Sequence, residues 1–134
     1  MPCLLCTPHA ERLLVRQPAW RVIGVDHEPY AGYCRVVWND HVAEMSDLAV
    51  ADRSALMDVV FTVEAVLREQ LQPAKINLAS LGNQMPHLHW HVIPRWHDDP
   101  TFPAAVWAPP QRPAAARAAD WSAIERALAR RLGA

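Results

Sequence analysis

The sequence predicts an α+β fold in which a mainly antiparallel sheet carries one long helix and a short C-terminal helix. Two short runs of β-branched and aromatic residues come first, "WRVIGVD" (20–26) and "YCRVVW" (33–38). A long stretch with helical spacing follows, and two more strand-like runs come after it. The order β-β-α-β-β with a C-terminal tail is typical of an antiparallel sheet with helix packed on it.

The first two strands and the long helix have clear boundaries in the sequence. The segment "HEPYAG" joins the two strands and contains Pro29 and Gly32, so the pair is predicted to be a hairpin with a loop of medium length. The helix is predicted from about Ala51 to Gln70, because Pro73 lies just past its end and apolar residues recur at helical spacing. These apolar residues are Leu56, Val59, Val60, Val63, Val66 and Leu67.

The second half of the chain alternates between strand patterns and turn residues. "KINLASL" (75–81) predicts a strand, and residues 82–86 predict a tight turn before a strand rich in histidine. Residues 98–117 contain five prolines, which excludes regular structure there. The last segment, "DWSAIERALARRLGA", predicts a short helix in which Ser122 and Glu125 form a capping box.

Length and charge exclude several classes of protein. The chain has 134 residues, enough for one domain with a real core, and its net charge of −1 offers no basic surface for nucleic acid. No apolar stretch is long enough to cross a membrane, and the N-terminus lacks the pattern of a secretory leader. We therefore expect a cytoplasmic protein with no nucleic-acid and no membrane partner.

The three cysteines divide into a pair and a single residue. Cys3 and Cys6 form a Cys-x-x-Cys motif in "CLLC", which in a reducing compartment suggests metal or redox chemistry more than a disulfide. Cys34 alternates with apolar neighbours in a predicted strand, so we expect it in the core.

The segment "QMPHLHWHVIPRW" (84–96) places three of the seven histidines at every second position. Side chains at positions i, i+2 and i+4 of a strand lie on one face, about 6.6 Å apart for each step of two residues. His87, His89 and His91 are therefore predicted to share a face, and Trp90 is predicted to point to the other side, into the core.

Three interpretations of this histidine row are open. The row is a solvent-facing polar strand, a metal cage, or a site of nucleophilic catalysis on phosphorus. A catalytic metal site usually adds an acidic residue directly behind the histidines, whereas Val92, Ile93 and Pro94 follow here. A neutral imidazole is a good nucleophile near neutral pH, and a phosphate fits between adjacent rings. Nucleophilic catalysis is the favoured interpretation.

At these residues the sequence resembles the histidine triad (HIT) family. The core motif is "HLHWHVI", and the resemblance extends through "VDHEPYAGYCRVVWNDHVAEMSDL", "INLASLGN" and "PRWHDDPTFPAAVW", covering roughly residues 3–107. It implies a HIT-like fold with about five strands, a homodimer, and a hydrolase or transferase that attacks the α-phosphate of a purine nucleotide. Substrates in the family include nucleoside phosphoramidates, aminoacyl adenylates and dinucleoside polyphosphates, and the intermediate is a nucleotidyl-histidine.

The resemblance implies roles for individual residues. His89 matches the nucleophile, and His91 matches the histidine that contacts the phosphate and assists the leaving group. Asp26 matches the residue that hydrogen-bonds the ribose hydroxyls, although an aspartate there also suits a turn. Asn83 and Gln84 match amide or hydroxyl side chains that face the phosphate, although "GNQMP" is shorter than the glycine-rich loop of larger eukaryotic members.

The resemblance also implies a structural zinc site of the kind found in bacterial members with a Cys-x-x-Cys arm. Cys3, Cys6, His41 and His87 match the four ligands, and a Cys₂His₂ shell is closed to substrate. His9 is an alternative third ligand, and a free arm with ordinary thiols is the alternative to a zinc site.

Two functions remain in view. The favoured one is a nucleotide hydrolase or nucleotidyl transferase with no organic cofactor; the other is a zinc-stabilised nucleotide-binding module with little turnover. We expect residues 1–134 to form a single histidine-triad domain. It would comprise a zinc arm (1–12), a catalytic core (13–97) and a Pro-rich tail with the C-terminal helix (98–134).

Overall fold

A five-stranded antiparallel sheet with two α-helices forms the fold. The computed structural model describes residues 3–8 and 10–133. The elements are β1 (Arg12–Arg16), β2 (Trp20–Gly24), β3 (Cys34–Trp38), α1 (Val50–Leu71), β4 (Lys75–Ala79), β5 (His89–Arg95) and α2 (Trp121–Leu132). The strand order is β1-β2-β3-β5-β4, and each neighbouring pair is antiparallel. This architecture confirms the predicted α+β class.

Strands β2 and β3 form the predicted hairpin. Val22 pairs with Val36 at its centre. In the connecting loop Gly32 has a φ of 78°, a conformation that residues with a side chain rarely adopt. A Cβ atom at Gly32 would also clash with the side chain of Leu71 at the end of α1. The loop therefore needs glycine both for its backbone conformation and for its contact with the helix.

Helix α1 confirms the long helix predicted over residues 51–70. All six apolar residues that predicted it are buried and face the sheet. Arg53 donates from Nε to the carbonyl of Leu48 at 2.9 Å and so ties the start of the helix to the preceding segment. The helix ends where Gln72 takes a left-handed conformation with a φ of 50°, immediately before Pro73.

The first strand was not predicted from the sequence. Residues 12–16 form β1, although the expected arm extended to residue 12 and no strand was predicted after it. Buried and exposed side chains do not alternate along this strand, because its register with β2 shifts between Leu13 and Val15. Such a bulge places two consecutive residues, Leu14 and Val15, in the core, so the two-residue period of a strand is lost.

Helix α2 is confirmed, but its predicted cap is wrong. The helix begins at Trp121, and the N–H of Ala123 donates to the carboxylate of Asp120 at 3.0 Å. Ser122 therefore lies inside the first turn rather than at the cap. Trp121 packs so closely on β2 that a Cβ atom at Gly24 would come within 2.7 Å of its ring.

Different parts of the chain pack on the two faces of the sheet. Both helices pack on one face, where Val22 and Val36 align with the partly buried Trp90. The predicted core positions of Trp90 and of the fully buried Cys34 are confirmed on this side. None of the helices in the described ranges is long and apolar enough to cross a membrane.

The opposite face is partly covered by the N-terminal arm and the Pro-rich tail. Leu5 of the arm packs on Ile23 and Val37. Val106 of the tail packs on a cluster that contains Ile93. This face of the sheet is therefore partly covered by the chain itself.

A buried ion pair fastens the tail to the end of β5. Arg95 and Asp99 are about 2% and 3% exposed, and the guanidinium donates two hydrogen bonds, of 2.7 and 3.1 Å, to the carboxylate. Backbone N–H groups of Trp96, Thr101 and Phe102 donate to the same carboxylate. Burial by itself raises the pKa of Asp99, but these donors outweigh it and hold the pKa below its usual value.

Replacing Asp99 with alanine should destabilise the fold strongly, because the buried guanidinium of Arg95 would lose its counter-charge. We expect the free energy of unfolding to fall by about 3 to 5 kcal/mol in urea titrations. Asp98→Ala is the matched control: it breaks an exposed pair with Arg117 and should cost less than about 1 kcal/mol. Equal losses for the two variants would contradict a structural role for the buried pair.

Candidate functional site

Two of the three histidines lie on the sheet face opposite the helices. His89 pairs with Val37 and His91 with Arg35 across β3 and β5. Both imidazoles are largely buried, at 7% and 5% exposed, and their ring centroids are 4.9 Å apart. His87 precedes the strand rather than lying within it, and its side chain belongs to a different cluster.

A hydrogen bond of His89 determines which of its ring nitrogens carries the proton and which keeps a lone pair. Its Nδ1 lies 2.6 Å from the backbone carbonyl of His87. A carbonyl can only accept, so Nδ1 carries the proton and Nε2 keeps its lone pair. Burial lowers the pKa of His89. The hydrogen bond to the carbonyl of His87 acts in the opposite direction, but the positive charge of Arg35 lowers the pKa further. His89 is therefore a neutral imidazole with a free Nε2.

His91 is held between two aromatic side chains. Its Nδ1 lies 2.7 Å from the hydroxyl of Tyr33, and the ring of Trp107, from the tail, stands edge-on to it at 5.1 Å between centroids. Burial, followed by the nearby His89 and Arg35, lowers the pKa of His91 to about 3. His91 is thus also neutral at physiological pH.

Four predicted ligands come together beside the start of β5. The ligand atoms of Cys3, Cys6, His41 and His87 all lie within 4.8 Å of one another. Cys3 Sγ is 3.3 Å from His87 Nδ1, Cys6 Sγ is 3.2 Å from His41 Nδ1, and the two Nδ1 atoms are 3.2 Å apart. These separations are close to the edges of a tetrahedron of zinc ligands, roughly 3.3 to 3.8 Å for metal–ligand bonds of 2.0 to 2.3 Å.

The orientation of His87 fits a metal ligand. Its Nε2 lies 2.5 Å from the backbone carbonyl of Trp38, so Nε2 carries the proton and Nδ1 faces the two thiols with its lone pair. Metal-binding histidines characteristically donate their second N–H to a carbonyl or carboxylate in this way. The four residues are therefore positioned to bind a metal ion. His9, the alternative ligand, lies outside the described residues.

The two thiols of the arm differ in their proton affinity. Burial alone would raise the pKa of Cys3, but hydrogen bonds from Cys6 and the charge of Arg21 lower it. The same interaction with Cys3 raises the pKa of Cys6. Cys3 therefore loses its proton more readily than Cys6, and the thiolate is the form that binds a divalent cation.

The residues expected to bind the ribose and the phosphate, Asp26, Asn83 and Gln84, have exposed side chains. Asp26 forms an exposed salt bridge of 2.7 Å with Arg12, which lowers the pKa of the carboxyl. Asn83 and Gln84 are exposed in the loop before β5, and their side chains form no hydrogen bond among the described residues. A cavity of about 230 Å³ beside this loop is lined by Ser80, Leu81 and Gly82 and also by His89, among others.

The sequence analysis missed two residues of this face, Tyr33 and Arg35. Arg35 lies on β3 and Tyr33 immediately precedes the strand, and the two alternate with the core residues Cys34 and Val36, so they share the face of His89 and His91. The signal was present in the sequence, because a single arginine interrupts the otherwise apolar run "YCRVVW". What it faced could not be seen until the register with β5 was known.

Solved structures of histidine triad proteins have a similar fold. A histidine triad protein from Bradyrhizobium japonicum has a similar structure, with a TM-score of 0.74 and 25% identity over 95% of this chain and 99% of that one. A histidine triad protein from Marinobacter aquaeolei is similar with a TM-score of 0.70 at 23% identity, over 91% and 88% of the two chains.

A hypothetical histidine triad nucleotide-binding protein from Sulfolobus tokodaii has a TM-score of 0.66 at 15% identity, over 98% of this chain and 92% of that one. The comparison with curated proteins finds no match. The family model of the HIT domain matches residues 9–98, about two thirds of the sequence, and the chain therefore belongs to the HIT family, whose members are nucleotide-binding proteins of the hydrolase and transferase type.

Proposed function

We propose that the protein is a hydrolase or nucleotidyl transferase that attacks the α-phosphate of a purine nucleoside phosphoramidate or dinucleoside polyphosphate. The observation that carries this proposal is the hydrogen bond from His89 to the carbonyl of His87. It leaves Nε2 of a neutral, largely buried imidazole unprotonated, which is what attack on phosphorus requires.

The reaction would proceed in two displacements at His89. In the first, Nε2 forms a bond to the α-phosphorus while the bond from phosphorus to the leaving group breaks. The leaving group takes up a proton from solvent as it departs, and the neutral His91, whose ring lies 4.9 Å from that of His89, lies beside it. In the second, water displaces the imidazole from phosphorus and returns a proton to solvent, which gives the nucleoside monophosphate and restores His89.

We propose that Asp26, Asn83 and Gln84 bind the rest of the nucleotide. Asp26 would accept hydrogen bonds from the two ribose hydroxyls, for which it must turn from Arg12. Asn83 and Gln84 would donate to phosphate oxygens from the loop that borders the cavity beside His89. Their exposed side chains leave them available to a ligand.

Replacing His89 with alanine should abolish turnover while leaving nucleotide binding largely intact. The nucleophile is lost but the surrounding side chains remain, so we expect kcat for adenosine phosphoramidate to fall by at least about 10³-fold. Binding of AMP, measured by calorimetry, should change by less than about threefold. His27→Ala, at an exposed histidine, is the control and should leave both quantities unchanged.

The same assays separate the enzyme from the alternative, a zinc-stabilised nucleotide-binding module with little turnover. A wild-type protein that binds AMP but converts neither adenosine phosphoramidate nor diadenosine polyphosphates would support the module. Wild-type turnover by His89→Ala would instead exclude the covalent mechanism.

We propose that Cys3, Cys6, His41 and His87 hold a structural zinc ion. Two thiolates and two imidazoles saturate a tetrahedral zinc, so no open position would remain to activate water. A bound ion would tie the arm to the sheet and hold the segment whose carbonyl orients His89. The cytoplasm, where thiols stay reduced, suits these ligands as the place of action.

Removing both arm cysteines should remove the metal and lower stability. In Cys3→Ala/Cys6→Ala we expect zinc content, measured by atomic emission, to fall from one ion per chain to near zero. The melting temperature should fall as well, because metal binding contributes to the free energy of folding. Cys34→Ala is the control, since it removes a thiol from the core and should keep the zinc. Zinc that persists in the double variant would place the metal on the histidine row instead.

We also propose that residues 1–134 form one domain and that the domain is a homodimer. The arm and tail both pack on the sheet that carries His89. The outer edge of β4 pairs with no strand among the described residues, and an unpaired edge offers backbone groups to a second copy.

Sedimentation equilibrium at micromolar concentration should give about twice the mass of one chain, because closing the β4 edge satisfies its free backbone groups. A single species at the monomer mass would contradict the dimer. It would show that the arm, tail and short edge are sufficient to keep the sheet soluble.

A further inference from the structure

Arg35 is the unexplained charge on the catalytic face. It is the second residue of β3, the central strand of the sheet, where it pairs with Ile23 on one side and with His91 on the other. Its Nε is buried and has no hydrogen-bond partner, and no carboxylate of the described residues lies within salt-bridge distance of it. Placing an unpaired donor of a charged group in the interior is costly unless something binds it.

Other arginines around the sheet are neutralised by fixed partners. Arg21 donates two hydrogen bonds to Glu11 at 3.0 and 2.7 Å and is further bonded to Asn39 and a backbone carbonyl. Arg95 has its carboxylate partner in Asp99. Arg35 is different, although it occupies the strand position directly beside the reactive histidines.

Aromatic packing holds the guanidinium in place without neutralising it. The guanidinium carbon of Arg35 lies 5.7 Å from the ring centroid of Tyr33, a cation–π distance. Tyr33 in turn contacts His91 through its hydroxyl. Glu28 is the acidic residue whose charge raises the pKa of Tyr33. Its side chain is exposed, and its Oε1 lies 3.8 Å from Nε2 of His27. The face thus carries a positioned cation whose buried Nε has no hydrogen-bond partner.

We propose that Arg35 binds the phosphate group of the nucleotide, an inference that rests on the proposed function. A guanidinium presents several N–H donors in one plane and binds phosphate oxygens through paired, charge-assisted hydrogen bonds. His89 and His91 lie on the same face, so an anion held by Arg35 would be presented to Nε2 of His89. The charge of Arg35 would also offset the negative charge of the phosphate oxygens as the imidazole approaches.

The test compares two ligands that differ only in the phosphate. For wild type, Arg35→Gln and Arg35→Met, the dissociation constants of AMP and adenosine are measured by calorimetry on the full chain. The proposal expects AMP binding to weaken by at least about tenfold in both variants, the usual scale for one lost charge-assisted hydrogen bond. Adenosine binding should change by less than about twofold. Arg35→Lys should keep part of the preference for AMP, because it keeps the charge.

Arg16→Gln is the matched control, because it removes an exposed arginine from β1 of the same sheet. It should leave both dissociation constants unchanged. Equal weakening of AMP and adenosine in the Arg35 variants would overturn the proposal, since it would show that Arg35 only supports the fold. Unchanged AMP binding would overturn it as well.

The results for wild type distinguish a failure of the proposed hydrolase activity from a failure of the proposed role of Arg35. Wild-type protein that binds AMP but turns over no phosphoramidate overturns the hydrolase, and the comparison of AMP with adenosine still decides the role of Arg35. Wild-type protein that binds no AMP overturns both. Turnover by wild type with an unchanged preference for AMP in Arg35→Gln overturns the role of Arg35 alone.

Discussion

The hydrogen bond between His89 Nδ1 and the carbonyl of His87 links the two clusters of this molecule. Its acceptor belongs to the residue whose side chain joins Cys3, Cys6 and His41, and its donor sets the tautomer of the imidazole on the sheet. A shift of the backbone at residue 87 would therefore disturb the metal-binding geometry and the reactive nitrogen together. The carbonyl of Trp38, which fixes the His87 ring, acts on both clusters for the same reason.

The register of the sheet keeps chemistry and core apart. Val22, Val36 and Trp90 align on the helix side, and Ile23, Arg35 and His91 align on the other. A slip of one residue would exchange these sets and place a guanidinium and an imidazole against α1. The same hydrophobic preference that stabilises the core thus holds the face that carries His89 and His91 in register.

The sequence predicted those features that depend on local period or motif. The hairpin, the long helix and the shared face of His89 and His91 follow from spacing alone, whereas His87, predicted in the same strand row, precedes β5 and joins the cysteines. The bulge in β1 could not be predicted, because it places Leu14 and Val15 side by side in the core. The environment of Arg35 and the ion pair of Arg95 depend on which strands and loops meet across the fold, and no local pattern contains that information.

The arm and the tail reach the same face of the sheet by different physical means. The tail is held by the buried pair of Arg95 and Asp99 and by apolar contacts, so it needs no metal. In the described part of the arm, Leu5 is the one buried apolar residue, and Arg21 adds a hydrogen bond to its carbonyl. One apolar anchor offsets little of the conformational entropy of ordering such a segment. The pair of Glu11 with the buried Arg21 adds a second anchor, and a metal ion at the four clustered ligands would add a third, on which the tail does not depend.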